Sequence, residues 1–353
     1  MLRFASWLAL LLAAVSAFAQ SDPRAVLTVG TASARRGQMA TGVIQVPAGP
    51  DAASEIPVIV INGARPGPVL SLVAGSHGTE YASIIALEHL ATVSPAELSG
   101  SLIIVPLVNV ASFQQVVPHL NPVDRKNMNR FYPGNPQGTQ TERACWQITR
   151  QVIEPADYVI DFHGGDLDED LRPYAYWMPT GNAAQDKTSR EMALAFGLDH
   201  IIIVSGRPRD PNASVYLDNT ASLRGKPSLI VEAGRIGRVD ADDLHSLVSG
   251  TVSVMAYLHM LDRPVRRIEN PVWFDKLAAP ASDATGIFYP LVQRGAYVAQ
   301  GAKIGYVTDY FGKTVADIRS PVSGVVLYIR GVPSVNKGDA VASIGVVAAS
   351  PPN

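Results

Sequence analysis

Cysteine is nearly missing from this chain of 353 residues: Cys145 is the single one. No intrachain disulfide can form, so stability has to come from a buried core. Cys145 itself lies in the helix-like pattern Glu142-Arg-Ala-Cys145-Trp-Gln-Ile148 and reads as a small buried apolar residue rather than a nucleophile. An excess of one charge is missing too. A formal net charge of −2 and a pI near 6.4 create no basic field for nucleic acid or an anionic membrane surface, and no nucleic-acid partner is expected. Charged residues at 17% and hydrophobic ones at 47% exclude a disordered chain and support a sizeable core.

The N-terminal apolar run, Phe4 to Val15, is too short for a membrane span. It follows the positive start Met1-Leu-Arg3 and precedes the small-x-small pattern Ala17-Phe-Ala19, which predicts a secretory signal peptide cleaved after Ala19. The residue directly after Ala19 is Gln20, not a cysteine that could carry a lipid. The mature chain is therefore expected to be secreted or periplasmic, with no stable membrane anchor.

From about Ala25 to Val46 the chain reads as strand-rich, and Ile56 to Ile61 is a β-branched run. Ala64-Arg-Pro-Gly-Pro68 predicts a turn. Val69 to Ala74 is then a buried strand, Tyr81 to Thr92 a helix, and Ser101 to Val108 a continuously apolar strand of the parallel-sheet kind. This order points to an α/β domain. The stretch from Asn109 to Gly138 is irregular and rich in Asn, Pro and Gly, and loops of such length are usually functional when ordered. Further helices are expected over about Thr141–Ile153 and Ala241–Leu261, with a linker from Arg263 to Pro271.

One device recurs three times: an apolar strand ending in a metal-ligand or carboxylate residue and glycine. Leu70-Ser-Leu-Val-Ala-Gly75 leads to His77 and Glu80, Tyr158-Val-Ile-Asp161-Phe leads to His163 and Gly164, and Pro227-Ser-Leu-Ile-Val231 leads to Glu232 and Gly234. Sites in α/β sheets form beyond the carboxyl ends of strands. His77 and Glu80 have metal-ligand spacing, imidazole and carboxylate together suit zinc, and a catalytic zinc takes three protein ligands and keeps a position for water. Asp161 projects on the same side as His163 and is placed to orient that imidazole. The acidic run Asp166 to Asp170 lacks the spacing of a calcium loop and reads as solvated. His89, His200, His245 and His259 have no partner ligands and read as structural.

These pieces, with Asn127-Met-Asn129-Arg130-Phe-Tyr-Pro-Gly134, resemble in kind and order the zinc carboxypeptidase superfamily, in particular its succinylglutamate desuccinylase/aspartoacylase branch, over about Val58 to Leu261. The resemblance implies a mixed α/β sheet flanked by helices. It implies one zinc held by His77, Glu80 and His163, with Glu232 as the base that takes a proton from the attacking water. It also implies that Asn129 and Arg130 bind a substrate carboxylate, which a guanidinium can hold bidentately. The family has an arginine upstream of the Asn-Arg pair that polarises the scissile carbonyl. None stands around His119 to Pro122, so Arg125 is the nearest candidate, ahead of Arg235 and Arg238.

After the linker the sequence changes character. Two similar halves of short strands separated by Gly turns, around Gly286–Val307 and Ser320–Val341, predict a small all-β barrel or sandwich, similar to the module that follows the catalytic domain in this branch. Lys313 lacks the flanking residues of a lipoyl or biotinyl attachment site, so the module reads as a lid, docking or oligomerisation element. The expected organisation is a signal peptide over 1–19, a catalytic domain over 20–265 and a β-module over 272–349. The leading functional reading is a zinc hydrolase of an amide in an N-acyl amino acid or similar small carboxylate-bearing substrate. A carboxypeptidase or amidase of peptides, such as cell-wall peptides, and a non-catalytic zinc-containing binder are the alternatives. A homo-oligomer is compatible with all three.

Overall fold

Strands that are apolar without alternation need cover on both faces. The strand Arg65–Ala74 has it: Leu70, Leu72 and Ala74 enter one core with Leu87, Phe196, Leu247 and Met255, while Val69 and Val73 enter a second with Cys145, Ile148 and Leu217. The first core is covered by helices Tyr81–Leu90, Ala183–Phe196 and Ala241–Tyr257, and the second by Gln140–Ile148 and Leu217–Leu223. The structure, a computed structural model, describes residues 24–350 and Pro352. The expected signal peptide lies outside the described residues. Among the described residues no helix is long and apolar enough to cross a membrane.

The central layer is a mixed sheet of 13 strands. In its middle, Ser99–Val105, Arg65–Ala74, Tyr158–His163 and Ser228–Glu232 run parallel and side by side. Their register sets the site. Ala74 lies opposite Phe162, and His163 lies opposite Glu232, so three strand ends finish on one line. Beyond Ser228–Glu232 the sheet continues through Tyr174–Trp177, His200–Ile203, Val272–Ala278, Ala342–Val347 and Gly324–Arg330. The C-terminal strands thus extend the central sheet. A smaller sheet of 4 strands, Thr314–Arg319, Lys303–Thr308, Gly286–Pro290 and Ser334–Val335, shares a core of Phe288, Ile304, Val307 and Ile318 with Val326, Ile329 and Ile344.

Several elements differ from expectation. Ala64 to Pro68 is not a free turn. Arg65 already pairs with Ser99, and a register shift before Val69 absorbs the prolines. The helix expected to reach Ile153 is regular over Gln140–Ile148 and widens over Thr149–Ile153. The irregular stretch after Asn109 holds one short helix, Val110–Gln115, and one turn, Met128–Arg130. The acidic run is not solvated. Asp166 is fully buried, and Glu169–Leu171 pairs with Gly324–Arg330.

Arg143 pins the helix that follows this irregular stretch. It is 1% exposed, pairs with Asp51 at 2.7 Å and donates to the carbonyls of Pro47, Gly138 and Ala52. Removing one partner of a buried pair leaves the other groups unmet. Arg143→Ala is expected to cost about 3 kcal/mol, read as a lower melting temperature.

Candidate metal centre and catalytic cavity

Gly75, at φ +69°, takes the left-handed turn that frees the chain from its strand, and a Cβ there would strike Leu107. His77 and Glu80 follow. Glu80 occupies the N-cap position of helix Tyr81–Leu90, yet its side chain makes no capping bond. It reaches instead to two imidazoles: its Oε1 lies 2.6 Å from His77 Nδ1 and its Oε2 lies 3.0 Å from His163 Nδ1. Glu80 and His163 are each 3% exposed.

This donor set fits a metal. One ligand atom from each of His77, Glu80 and His163 lies within 4.8 Å of the other two. Two imidazole lone pairs and a carboxylate that converge in a buried space repel one another unless a proton or a cation sits among them. The electrostatics agree. Burial pushes Glu80 up, but His77 and His163 outweigh it and hold the carboxyl at about 2. Burial pushes His163 down, and Asp161 with Glu80 outweighs it, raising that imidazole well above 6.5. The far nitrogens are also met. His77 Nε2 is 3.1 Å from Asn127 Oδ1, and His163 Nε2 is 3.2 Å from Asp161 Oδ1 and 3.1 Å from Asn129 Nδ2. Asp161, wholly buried, has no well-aligned hydrogen bond among the described residues. With Nδ1 of His163 directed to Glu80, an Nε2 proton would point to that carboxylate, the arrangement that would orient the imidazole as a metal ligand.

These groups line a cavity of about 300 Å³ together with Glu232, Asn129 and Arg130. Glu232, at the end of its strand beside His163, is partly exposed to it. Burial first, then the charges of Glu80, Glu169 and Asp161, raise its carboxyl well above 4.5 against the pull of His163. Asn129 accepts from the Leu217 N–H at 3.0 Å through Oδ1. Arg130 lies 4.9 Å from the Tyr216 ring centroid.

Arg125 is not brought to the cavity. It stands exposed at a left-handed turn, φ 58°, where its backbone N–H is held by the Asn121 carbonyl at 2.7 Å, and it is absent from the lining. Arg235 and Arg238 pair with Asp170 and Asp240 and stay out as well. The second guanidinium in the wall is Arg207, 4.2 Å from the centroid of the same Tyr216 ring and paired with the buried Asp218. The sequence carries a signal for it, because His200-Ile-Ile-Ile-Val-Ser-Gly206-Arg207 repeats the device of an apolar strand ending in glycine and a polar residue.

His119, Glu169, Tyr174, Tyr176 and Tyr328 also line the wall, none of them singled out by sequence reasoning. His119 is bound on both sides: Nε2 lies 2.8 Å from Asp168 and Nδ1 lies 3.3 Å from Asp166. Burial pushes its pKa down, but the Asp168 hydrogen bond and the charges of Asp166 and Glu169 raise it to about 9. A histidine raised above its ordinary 6.5 stabilises fully below that pH and stops doing so as pH rises through about 9. The melting temperature is therefore expected to fall from pH 7 towards pH 10, and His119→Asn to flatten that fall.

The family model for the succinylglutamate desuccinylase/aspartoacylase catalytic domain matches residues 66–258. The chain is 30% identical over 302 residues, 84% of this chain and 86% of the relative, to the N-alpha-acetyl-L-2,4-diaminobutyric acid deacetylase of Halomonas elongata. Among solved structures, a succinylglutamate desuccinylase from Silicibacter sp. superposes with a TM-score of 0.79 at 25% identity, covering 89% of this chain and 97% of that one. The product-bound ectoine utilization protein EutE (DoeB) from Ruegeria pomeroyi gives 0.78 at 27% identity, covering 87% and 95%.

Proposed function

The chain belongs to the succinylglutamate desuccinylase/aspartoacylase family, and from that premise we propose that it is a zinc-dependent deacylase cleaving the amide bond of an N-acyl amino acid or a similar small carboxylate-bearing substrate. The observation that carries this reading is the meeting of the His77–Glu80–His163 set, Glu232 and two arginines around one cavity.

His77, Glu80 and His163 would hold the metal, and zinc bound there lowers the pKa of its water towards about 7 and polarises a carbonyl. Glu232, with a raised pKa, takes the proton of the attacking water and passes it to the leaving amine. Asp161 keeps His163 oriented. Arg130 and Arg207, both seated on Tyr216, hold the substrate carboxylate, and Asn129 lines the cavity beside them and fixes the Tyr216–Leu217 segment through the Leu217 N–H. Arg125 has no part in this arrangement.

The relative in Halomonas elongata, by its name a deacetylase of an N-acetyl diamino acid, supports N-acetyl amino acids as the first substrates to try. Incubating the purified chain with a panel of N-acyl amino acids and peptides, with and without a chelator, tests the reading. Release of free amino acid that stops on chelation and returns with zinc is expected. Cleavage of peptides without N-acyl amino acids would replace it with the peptidase reading.

We also propose export of the mature chain after removal of residues 1–19, a division into residues 20–265 and 272–349, and closure of the C-terminal strands into a barrel-sandwich. The shared core of Phe288, Ile304, Val326 and Ile344 supports that closure.

A further inference from the structure

The acidic run Asp166 to Asp170 is answered group by group, with one exception. Asp166 accepts from the Thr79 hydroxyl and from the N–H groups of Leu167 and His119. Asp168 pairs with His119 and Arg330, and Asp170 with Arg235 and Arg294. Glu169 is the exception. Its Oε2 accepts from the Asp166 N–H at 3.2 Å, and among the described residues its carboxylate forms no ion pair. Arg330, its partner in strand register, turns its guanidinium to Asp168 and Asp339 instead.

Glu169 nevertheless stands in the wall of the catalytic cavity. Its backbone is fixed there, the N–H donating to the Asp166 carbonyl at 3.0 Å and the carbonyl accepting from the Ile236 N–H at 2.7 Å. A carboxylate drawn out of water without a counter-charge is destabilised. Burial, with the charges of Glu80 and Asp168, accordingly raises this one to about 7 against the pull of His119, whose Nε2 is already held by Asp168. The two arginines of the cavity lie together on the Tyr216 ring, and neither pairs with Glu169. One part of the wall thus offers guanidinium groups and another an unmatched carboxylate, which suits a ligand carrying both charges. We infer that Glu169 binds an ammonium group of the substrate, so that the compounds cleaved bear an ammonium group as well as a carboxylate. The contact is a charge-assisted hydrogen bond to a fixed acceptor. This rests on the deacylase reading above and narrows its substrate class.

The test compares kcat/KM in the zinc-loaded enzyme for two pairs of near-isosteres that differ in one charge. N-α-acetyl-2,4-diaminobutyrate against N-acetylnorvaline places the ammonium in the amino-acid half, and N-(β-alanyl)norvaline against N-butanoylnorvaline places it in the acyl half. In the parent the ammonium compound of one pair is expected to lead by at least about tenfold. Glu169→Gln should bring that ratio towards one, and Glu169→Asp, which keeps the charge, should preserve a preference. The ratio within each variant is the readout, because a role confined to supporting His119 would lower both members of a pair alike. Ratios near or below one in both pairs, a preference that Glu169→Gln leaves unchanged, or turnover confined to N-acyl compounds without an ammonium group overturns the ammonium site and leaves the deacylase reading standing. Failure to cleave any of the four together with the wider N-acyl panel overturns both.

Discussion

Glu232→Gln is expected to lower kcat by about 10³-fold, within the roughly 10²- to 10⁴-fold range of a lost general acid-base, while zinc content stays that of the parent. The argument starts from register. Glu232 ends a strand that runs parallel to Tyr158–His163 and lies directly beside His163, so it is held by the sheet and not by a loop. It is neither a ligand in the converging His77–Glu80–His163 set nor paired in a salt bridge among the described residues. Burial and the neighbouring carboxylates raise its pKa, which suits a group that must both take and return a proton near neutral pH. Glutamine keeps the shape and removes only that capacity. The sign of the pH dependence follows: kcat/KM of the parent falls as pH drops through the raised Glu232 pKa, because the protonated carboxyl cannot accept. A glutamine variant with parent activity would remove Glu232 from the chemistry.

His163→Ala is expected to be at least as damaging, by a different route. His163 supplies Nδ1 to the shared Glu80 carboxylate and is fixed from behind by Asp161. Its removal leaves two protein ligands where a catalytic zinc takes three, and leaves Glu80 and Asp161 as buried carboxylates without their partner. Zinc and activity should be lost together. Asp161→Asn separates the effects, since a partner behind a ligand imidazole typically tunes metal affinity by about 10–100-fold. That variant should bind zinc more weakly and regain turnover when excess zinc is supplied. Recovery by zinc in Asp161→Asn but not in His163→Ala is the expected pattern.

Much of this site is legible in the sequence because its parts are local. An apolar strand that stops at glycine and a chemically active residue announces both a strand end and its cargo, and His77, Glu80, His163 and Glu232 each carry that mark. The parallel sheet then makes them neighbours through pairings such as His163 with Glu232. Arg125 shows where local reading ends. It lies near Asn129 in sequence, but the turn that sets its φ at 58° directs the side chain to solvent. Arg207, which does reach the cavity, comes from a loop 77 residues beyond Arg130, and only the Tyr216 ring brings the two together. The acidic run Asp166 to Asp170 escapes local reading for a similar reason. Its burial depends on pairing between Glu169–Leu171 and Gly324–Arg330, and on His119 folding back onto Asp166 and Asp168. Contacts across such separations leave no pattern within a single segment.

The claim on which the rest depends is that His77, Glu80 and His163 hold one zinc. Elemental analysis of the purified chain, run beside His163→Ala prepared in the same way, tests it directly. One zinc per chain in the parent and a small fraction of that in the variant is the predicted result; a parent without stoichiometric metal, or a variant that retains it, would contradict the account.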